Sequence, residues 1–176
     1  TELANALTLL YDVANPAQTA SIVRRLAEPA ADVARVSPLY FHYVLEGMIK
    51  AGAASEAYAY MSRRYAPLMA ADDYPMMPEA WPEQAYSGAS ASTIHGGSAG
   101  VVWTLTEHAL GIRPLAPGYT SVLFDPRPGS LAWAKGVVPT SLGDIHAEWR
   151  REPDGRIVGK ASCPAGVTLL CKVPDA

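Results

Sequence analysis

The sequence predicts an α+β chain in which helices come first and a small antiparallel β-sandwich follows. Apolar residues recur at helical steps through roughly the first hundred positions and at alternate positions through roughly the last sixty. The two regimes meet at a seam rich in proline and glycine, "LGIRPLAPGYTSVLFDPRPGSLAWAKGVVPT", Leu110–Thr140. With 49% apolar content over 176 residues, the chain has enough material for a real core.

The helices read as consecutive hairpins. In "ELANALTLLYDVA" the residues Leu3, Leu7, Leu10, Tyr11 and Ala14 fall on one face, the expected core stripe. "NPAQTASIVRRLAEPAA" opens with Asn15 as N-cap and Pro16 at the first helical position, and Pro29 ends it. "SPLYFHYVLEGMIKAG" repeats the device with Ser37 and Pro38 and closes at Gly52. "SEAYAYMSRRYAPLM" places Tyr58, Met61, Tyr65, Leu68 and Met69 on one stripe. Connections are short, as in antiparallel helical neighbours.

Residues 70–97, "AADDYPMMPEAWPEQAYSGASASTIHGG", break this rhythm, and a further helix, "SAGVVWTLTEHAL", ends before Gly111. Long irregular segments inside compact domains tend to carry function. Beyond the seam, "SVLFD", "LAWAKGVVPT", "GDIHAEWRR", "GRIVGKASC" and "GVTLLCKV" alternate as strands. Turn sequences "PRPGS", "TSLGD", "EPDG" and "PAG" separate them.

Charge and composition narrow the function classes. The chain has 14 basic and 17 acidic residues, net −3, with no run of like charge, so neither nucleic acid nor an anionic membrane is the expected partner. No apolar run is long enough to span a bilayer. The chain begins in mid-helix pattern without Met and reads as cut from something larger. Four histidines and two cysteines fall at no zinc-ligand spacing, so neither a metal nor another cofactor is expected. Cys163 and Cys171 read as buried free thiols, with a disulfide across a hairpin as the alternative.

The chemistry candidates cluster in the irregular segment. Glu79 and Glu83 flank Trp81 in "MPEAWPEQ", and His95 follows in "STIHGGSAG". A carboxylate that moves a proton, an indole that covers a sugar's C–H face and an imidazole that bonds a hydroxyl make a sugar-processing set. The plainer reading is two solvated glutamates beside a packing Trp. In "SPLYFHYVLEGM" the cluster Tyr40, Phe41, His42, Tyr43 and Glu46 could line a pocket mouth, with Phe41 as a substrate contact, although aromatic stripes at helical spacing are usually core. "HGG" without a "GxSxG" elbow is no esterase signature. Asp12 and Arg35 read as helix-end charges, and His108 and His146 as structural.

The series "STIHGGSAG", "LGIRPLAPGY", "LAWAKGVVPT" and "GDIHAEW" closely resembles the C-terminal part of the α-L-rhamnosidases of glycoside hydrolase family 78. The upstream segments "ANAL", "SPLYFHYVLEGM" and "MPEAW" resemble the later helices and active-site loop of that family. The resemblance implies the last part of an (α/α)6 catalytic barrel over 1–110, a linker over 111–117 and a β-sandwich over 118–176. It also implies inverting hydrolysis of terminal α-L-rhamnosides, with Glu79 as general base, Glu83 as the alternative, and Trp81 and His95 at the sugar. Where Gly97 stands, members usually carry an aromatic, which alters the pocket wall.

The family's general acid lies upstream, in an acidic segment this chain lacks, so the resemblance implies that the chain alone is inactive. Its expected partners are a rhamnose-containing glycoside and either the remainder of a parent enzyme or a second copy of itself. The alternative is a non-catalytic carbohydrate-binding or scaffold module, whose affinity would lie in exposed aromatics such as Trp133 or Trp149.

Overall fold

The computed structural model describes residues 1–28, 33–70, 77–82 and 92–172. They fall into two units, Thr1–Val102 and Trp103–Ala176.

The first unit is helical: α1 (Glu2–Leu10), α2 (Pro16–Ala27), α3 (Pro38–Lys50) and α4 (Ala54–Ala70). Local chemistry sets their ends. Asn15 and Gln18 form a reciprocal capping box at the start of α2, with Pro16 just inside it. Pro38 opens α3, and Gly52, at φ +84°, follows its end.

The buried face of α1 departs from the expected stripe. Glu2, Ala6 and Leu9 are buried, whereas Leu3, Leu7 and Leu10 are half-buried and Tyr11 is 68% exposed. Close approach to α3 explains the choice. A Cβ added at Gly47 would lie 2.6 Å from the Ala6 carbonyl oxygen, so the two backbones meet where neither residue has bulk. On α4, Tyr58, Tyr65 and Leu68 are buried as expected, but Met69 is exposed.

A last helix, α5 (Gly100–Thr104), continues through a π-helical turn, Leu105–Leu110, and stops at Gly111 in the left-handed region at φ +88°. Only glycine suits Gly111, because an added Cβ would lie 2.5 Å from the Pro126 nitrogen.

Six strands follow. Ile112–Pro114 (β1), within the stretch expected as a connection, pairs antiparallel with Ser121–Phe124 (β2). Trp133–Thr140 (β3), Gly143–Arg151 (β4) and Ile157–Ser162 (β5) form an antiparallel meander. Thr168–Cys171 (β6) returns to the first sheet beside β2. The two sheets close on one cluster that includes Ile112, Val122, Phe124, Ile145, Ala147 and Trp149. Trp149 Nε1 donates to the Ala109 carbonyl at 2.7 Å. One correction applies to the antiparallel expectation: β6 runs parallel to β2. Alternation reports which face of a strand is buried and is blind to strand direction. Cys163 and Cys171 are free thiols, but Cys163 is half-buried and Cys171 exposed, rather than both buried.

Candidate functional site

The candidate site rests on two hydrogen-bonded segments of the helical unit. The Glu79 N–H donates to the Ser92 carbonyl at 2.9 Å, and the His95 N–H donates to the Met77 carbonyl at 2.9 Å. Residues 77–79 and 92–95 are therefore stitched together by backbone hydrogen bonds. Glu79 is exposed, and its Oε2 accepts from the Ser92 N–H at 3.1 Å, which orients the carboxylate. His95 is half-buried, and its Nδ1 pairs with the hydroxyl of buried Ser98 at 3.1 Å. A Cβ at Gly97 would lie 3.1 Å from His95 Cε1 and 2.5 Å from Leu39 Cδ1, so these two side chains occupy the space an aromatic would otherwise take.

Trp81 and Phe41, expected to face a sugar, are core residues instead, 1% and 0% exposed. The Trp81 ring meets Phe41 and Tyr65 edge-on, with centroids 5.5 and 5.1 Å away, and the Arg64 guanidinium lies 4.2 Å from its centre. Its Nε1 donates to the Val36 carbonyl at 2.8 Å. The physical reason is that an indole with three aromatic or cationic neighbours and a satisfied N–H is worth more buried than as an open platform. Trp81 thus anchors the segment that carries Glu79. Glu83 lies outside the described residues.

Sequence reasoning missed what secures this anchor. The Val36 N–H donates to Oε2 of buried Glu2 at 2.8 Å, and Tyr60 donates its hydroxyl to Glu2 Oε1. Arg35, read as a helix-end charge, donates to the Tyr60 hydroxyl at 2.9 Å and lies 3.6 Å from Glu2. A glutamate in the first turn of a helix looks solvated in sequence, and only its distant partners, residues 36 and 60, reveal the role. Burial, and next the Glu2 carboxylate, push the Tyr60 phenol up to about 12 from its ordinary 10.0, against an opposing pull from Arg35. Because the folded value is the higher one, this contribution to stability is complete below pH 10 and disappears as pH rises towards about 12. Helical circular dichroism under denaturant is expected to show stability falling over that window, and falling less steeply in Tyr60→Phe.

Among the described residues no group of His, Cys, Asp and Glu has metal-site geometry, and no helix is long and apolar enough to cross a membrane. A groove of about 850 Å³ on the same unit, lined by residues such as Pro16, Val23, Arg24 and Gly52, includes none of the described candidate residues.

Comparison with known proteins gives these placements a context. Residues 111–176 match the family described as the bacterial alpha-L-rhamnosidase C-terminal domain. In fold, the chain is similar to a GH78 family rhamnosidase of Bacillus sp. GL1, at 24% identity and TM-score 0.81, over 99% of this chain and 19% of that one. It is also similar to the Streptomyces avermitilis alpha-L-rhamnosidase solved with L-rhamnose, at 24% identity and TM-score 0.72, over 96% and 18%. The Aspergillus terreus alpha-L-rhamnosidase aligns at 19% identity and TM-score 0.77, over 100% and 22%. No functionally curated protein matches the chain. The chain spans about a fifth of the length of these structures. The likeness read from the seam and its strands is borne out, and so is the α+β fold.

Proposed function

We propose that this chain is the C-terminal part of an inverting glycoside hydrolase that cleaves terminal α-L-rhamnosides, and that it supplies the general base, Glu79. The observation that carries the reading is an exposed carboxylate oriented by the Ser92 N–H, on a segment bonded to the one bearing His95. With Oε2 engaged by that N–H, Oε1 accepts a proton from water. The water attacks the anomeric carbon from the face opposite the leaving oxygen, and the bond from that carbon to the aglycone oxygen breaks. An acid on the other side gives the departing oxygen its proton. The Ser98 contact at Nδ1 leaves His95 Nε2 for a sugar hydroxyl. Trp81 acts by holding the segment, not by touching the sugar.

The general acid is supplied from outside this chain, because inversion needs two carboxyl groups about 6.5–9.5 Å apart across the sugar and the family likeness assigns only one of them here. The isolated chain is therefore expected to give no turnover on an aryl α-L-rhamnoside, while the longer enzyme containing it releases the β-anomer first, as read by proton NMR. Turnover by the isolated chain at the rate of the longer enzyme, or an α-anomer as first product, would overturn the assignment.

A further inference from the structure

The outer face of the β3–β4–β5 sheet is a solvated surface that nothing in the catalytic reading uses. Register places Trp133, Arg150 and Val158 in one cross-strand row, Lys135, Glu148 and Lys160 in the next, and Val137, His146 and Ser162 in a third. Their neighbours along the strands, Ala147 and Trp149, are buried, so these rows share the opposite face. Trp133 is 66% exposed on the edge strand, and Val137 and Val158 are exposed beside it. Charges such as Lys135 are a common way to blunt an edge strand, but an open indole serves no such purpose. Exposed aromatic surface of this kind marks a contact with something else.

The polar groups around it say what that contact is. Glu148 accepts Lys160 at 2.9 Å and Lys135 at 3.1 Å, and Arg150 pairs with Glu152 at 2.8 Å. The two lysine bonds, Lys160 first, hold the half-buried Glu148 carboxyl below the usual carboxylate range. Three cations against two carboxylates leave too little excess charge to track a phosphate backbone. Donors and acceptors held side by side instead match vicinal hydroxyls, and an indole face matches the C–H face of a pyranose.

Two hollows lie along this face, of about 410 and 170 Å³, and both are bordered by Lys135, Glu148 and Lys160. The larger falls within the roughly 300–1,000 Å³ typical of small-molecule sites. Together they follow β4 from His146 to Arg150, about 13 Å at about 3.3 Å per residue.

We infer that this face is a binding surface for a rhamnose-bearing oligosaccharide, with one ring stacked on Trp133, hydroxyls held by the Lys135–Glu148–Lys160 cluster, and Val158 or Val137 against the 6-deoxy methyl. The choice of sugar rests on the proposed function; the choice of a glycan rests on the face itself. Such a surface would hold a glycan chain independently of the hydrolytic site.

The test is a nitrogen-edited NMR titration of the full chain with a rhamnose-containing oligosaccharide and, separately, a xylo-oligosaccharide. Saturable shifts at Trp133, Arg150, Val158 and Lys160 are expected with the first. Affinity is expected to fall about tenfold in Trp133→Ala, as loss of an aromatic contact predicts, to fall also in Glu148→Gln, and to persist in Glu79→Gln. Trp133→Ala removes an exposed side chain and Glu148→Gln keeps the shape of a half-buried one, and dispersed spectra confirm their folding. No saturable shift on this face with either sugar would overturn the proposal, as would shifts confined to Glu79 and His95, a result that leaves the glycosidase reading standing. Trp133-dependent binding of the xylo-oligosaccharide alone would overturn the rhamnose assignment and count against the proposed substrate as well.

Discussion

Glu79→Gln, placed in a longer enzyme of the kind proposed, is expected to lower kcat on an aryl α-L-rhamnoside by about 10²- to 10⁴-fold, the usual cost of removing a general base, which is the role proposed for Glu79. The substitution keeps an oxygen able to accept from the Ser92 N–H, so the local hydrogen-bonded pair survives. It removes only the capacity to take a proton, and KM should change little. Glu79→Ala offers a second readout. Azide, which needs no deprotonation, should restore cleavage and give the β-rhamnosyl azide, since it attacks from the face the water occupied. Unchanged kcat in Glu79→Gln, together with its collapse in Glu83→Gln, would transfer the role to Glu83.

Trp81→Ala is expected to cost the helical unit about 3–5 kcal/mol in urea unfolding followed by helical circular dichroism, the range for deleting a large buried aromatic. The side chain is 1% exposed and leaves behind Phe41, Tyr65 and Arg64 around a void. It also leaves the Val36 carbonyl without its donor. Trp81→Phe separates these effects. It retains most of the packing and loses the hydrogen bond, at a cost of about 1–3 kcal/mol for a buried polar group left unpaired. On the proposed reading Trp81 positions Glu79 rather than touching the sugar, so Trp81→Phe should recover much of the activity lost in Trp81→Ala, with the pH profile of the base unchanged. A Phe variant as inactive as Glu79→Gln would mean that the indole itself meets the substrate.

Glu79 and His95 drew attention together because both lie in the stretch that breaks the helical rhythm, and the described parts around them are joined by backbone hydrogen bonds. Trp81 was legible as important but not as buried. Its partners come from α3, α4 and the residues before α3, and no local pattern announces that three elements converge on one indole. Glu2 was invisible for the same reason, since the groups that satisfy it, Val36 and Tyr60, lie 34 and 58 positions away. On the sheets, burial follows the alternation of Ile145, Ala147 and Trp149, but alternation alone did not say which face turns inward. It separated Trp149, sealed in the core, from Trp133, left open on the other side, only once register was known.

Short-range physics thus settled the helix ends at Asn15–Pro16 and Pro38 and the strands from Ser121 onward. Each depends on a side chain and its immediate neighbours along the chain, through a cap, a fixed proline φ or a two-residue period. Tertiary structure alone decided that α1 would bury Ala6 and Leu9 rather than Leu3 and Leu7, that β6 would lie parallel to β2, and that a glutamate would sit in the core. Those outcomes depend on which distant surface arrives. Gly47 offers no side chain, so Ala6 can come against its backbone, and the face of α1 follows from that fit rather than from hydrophobicity.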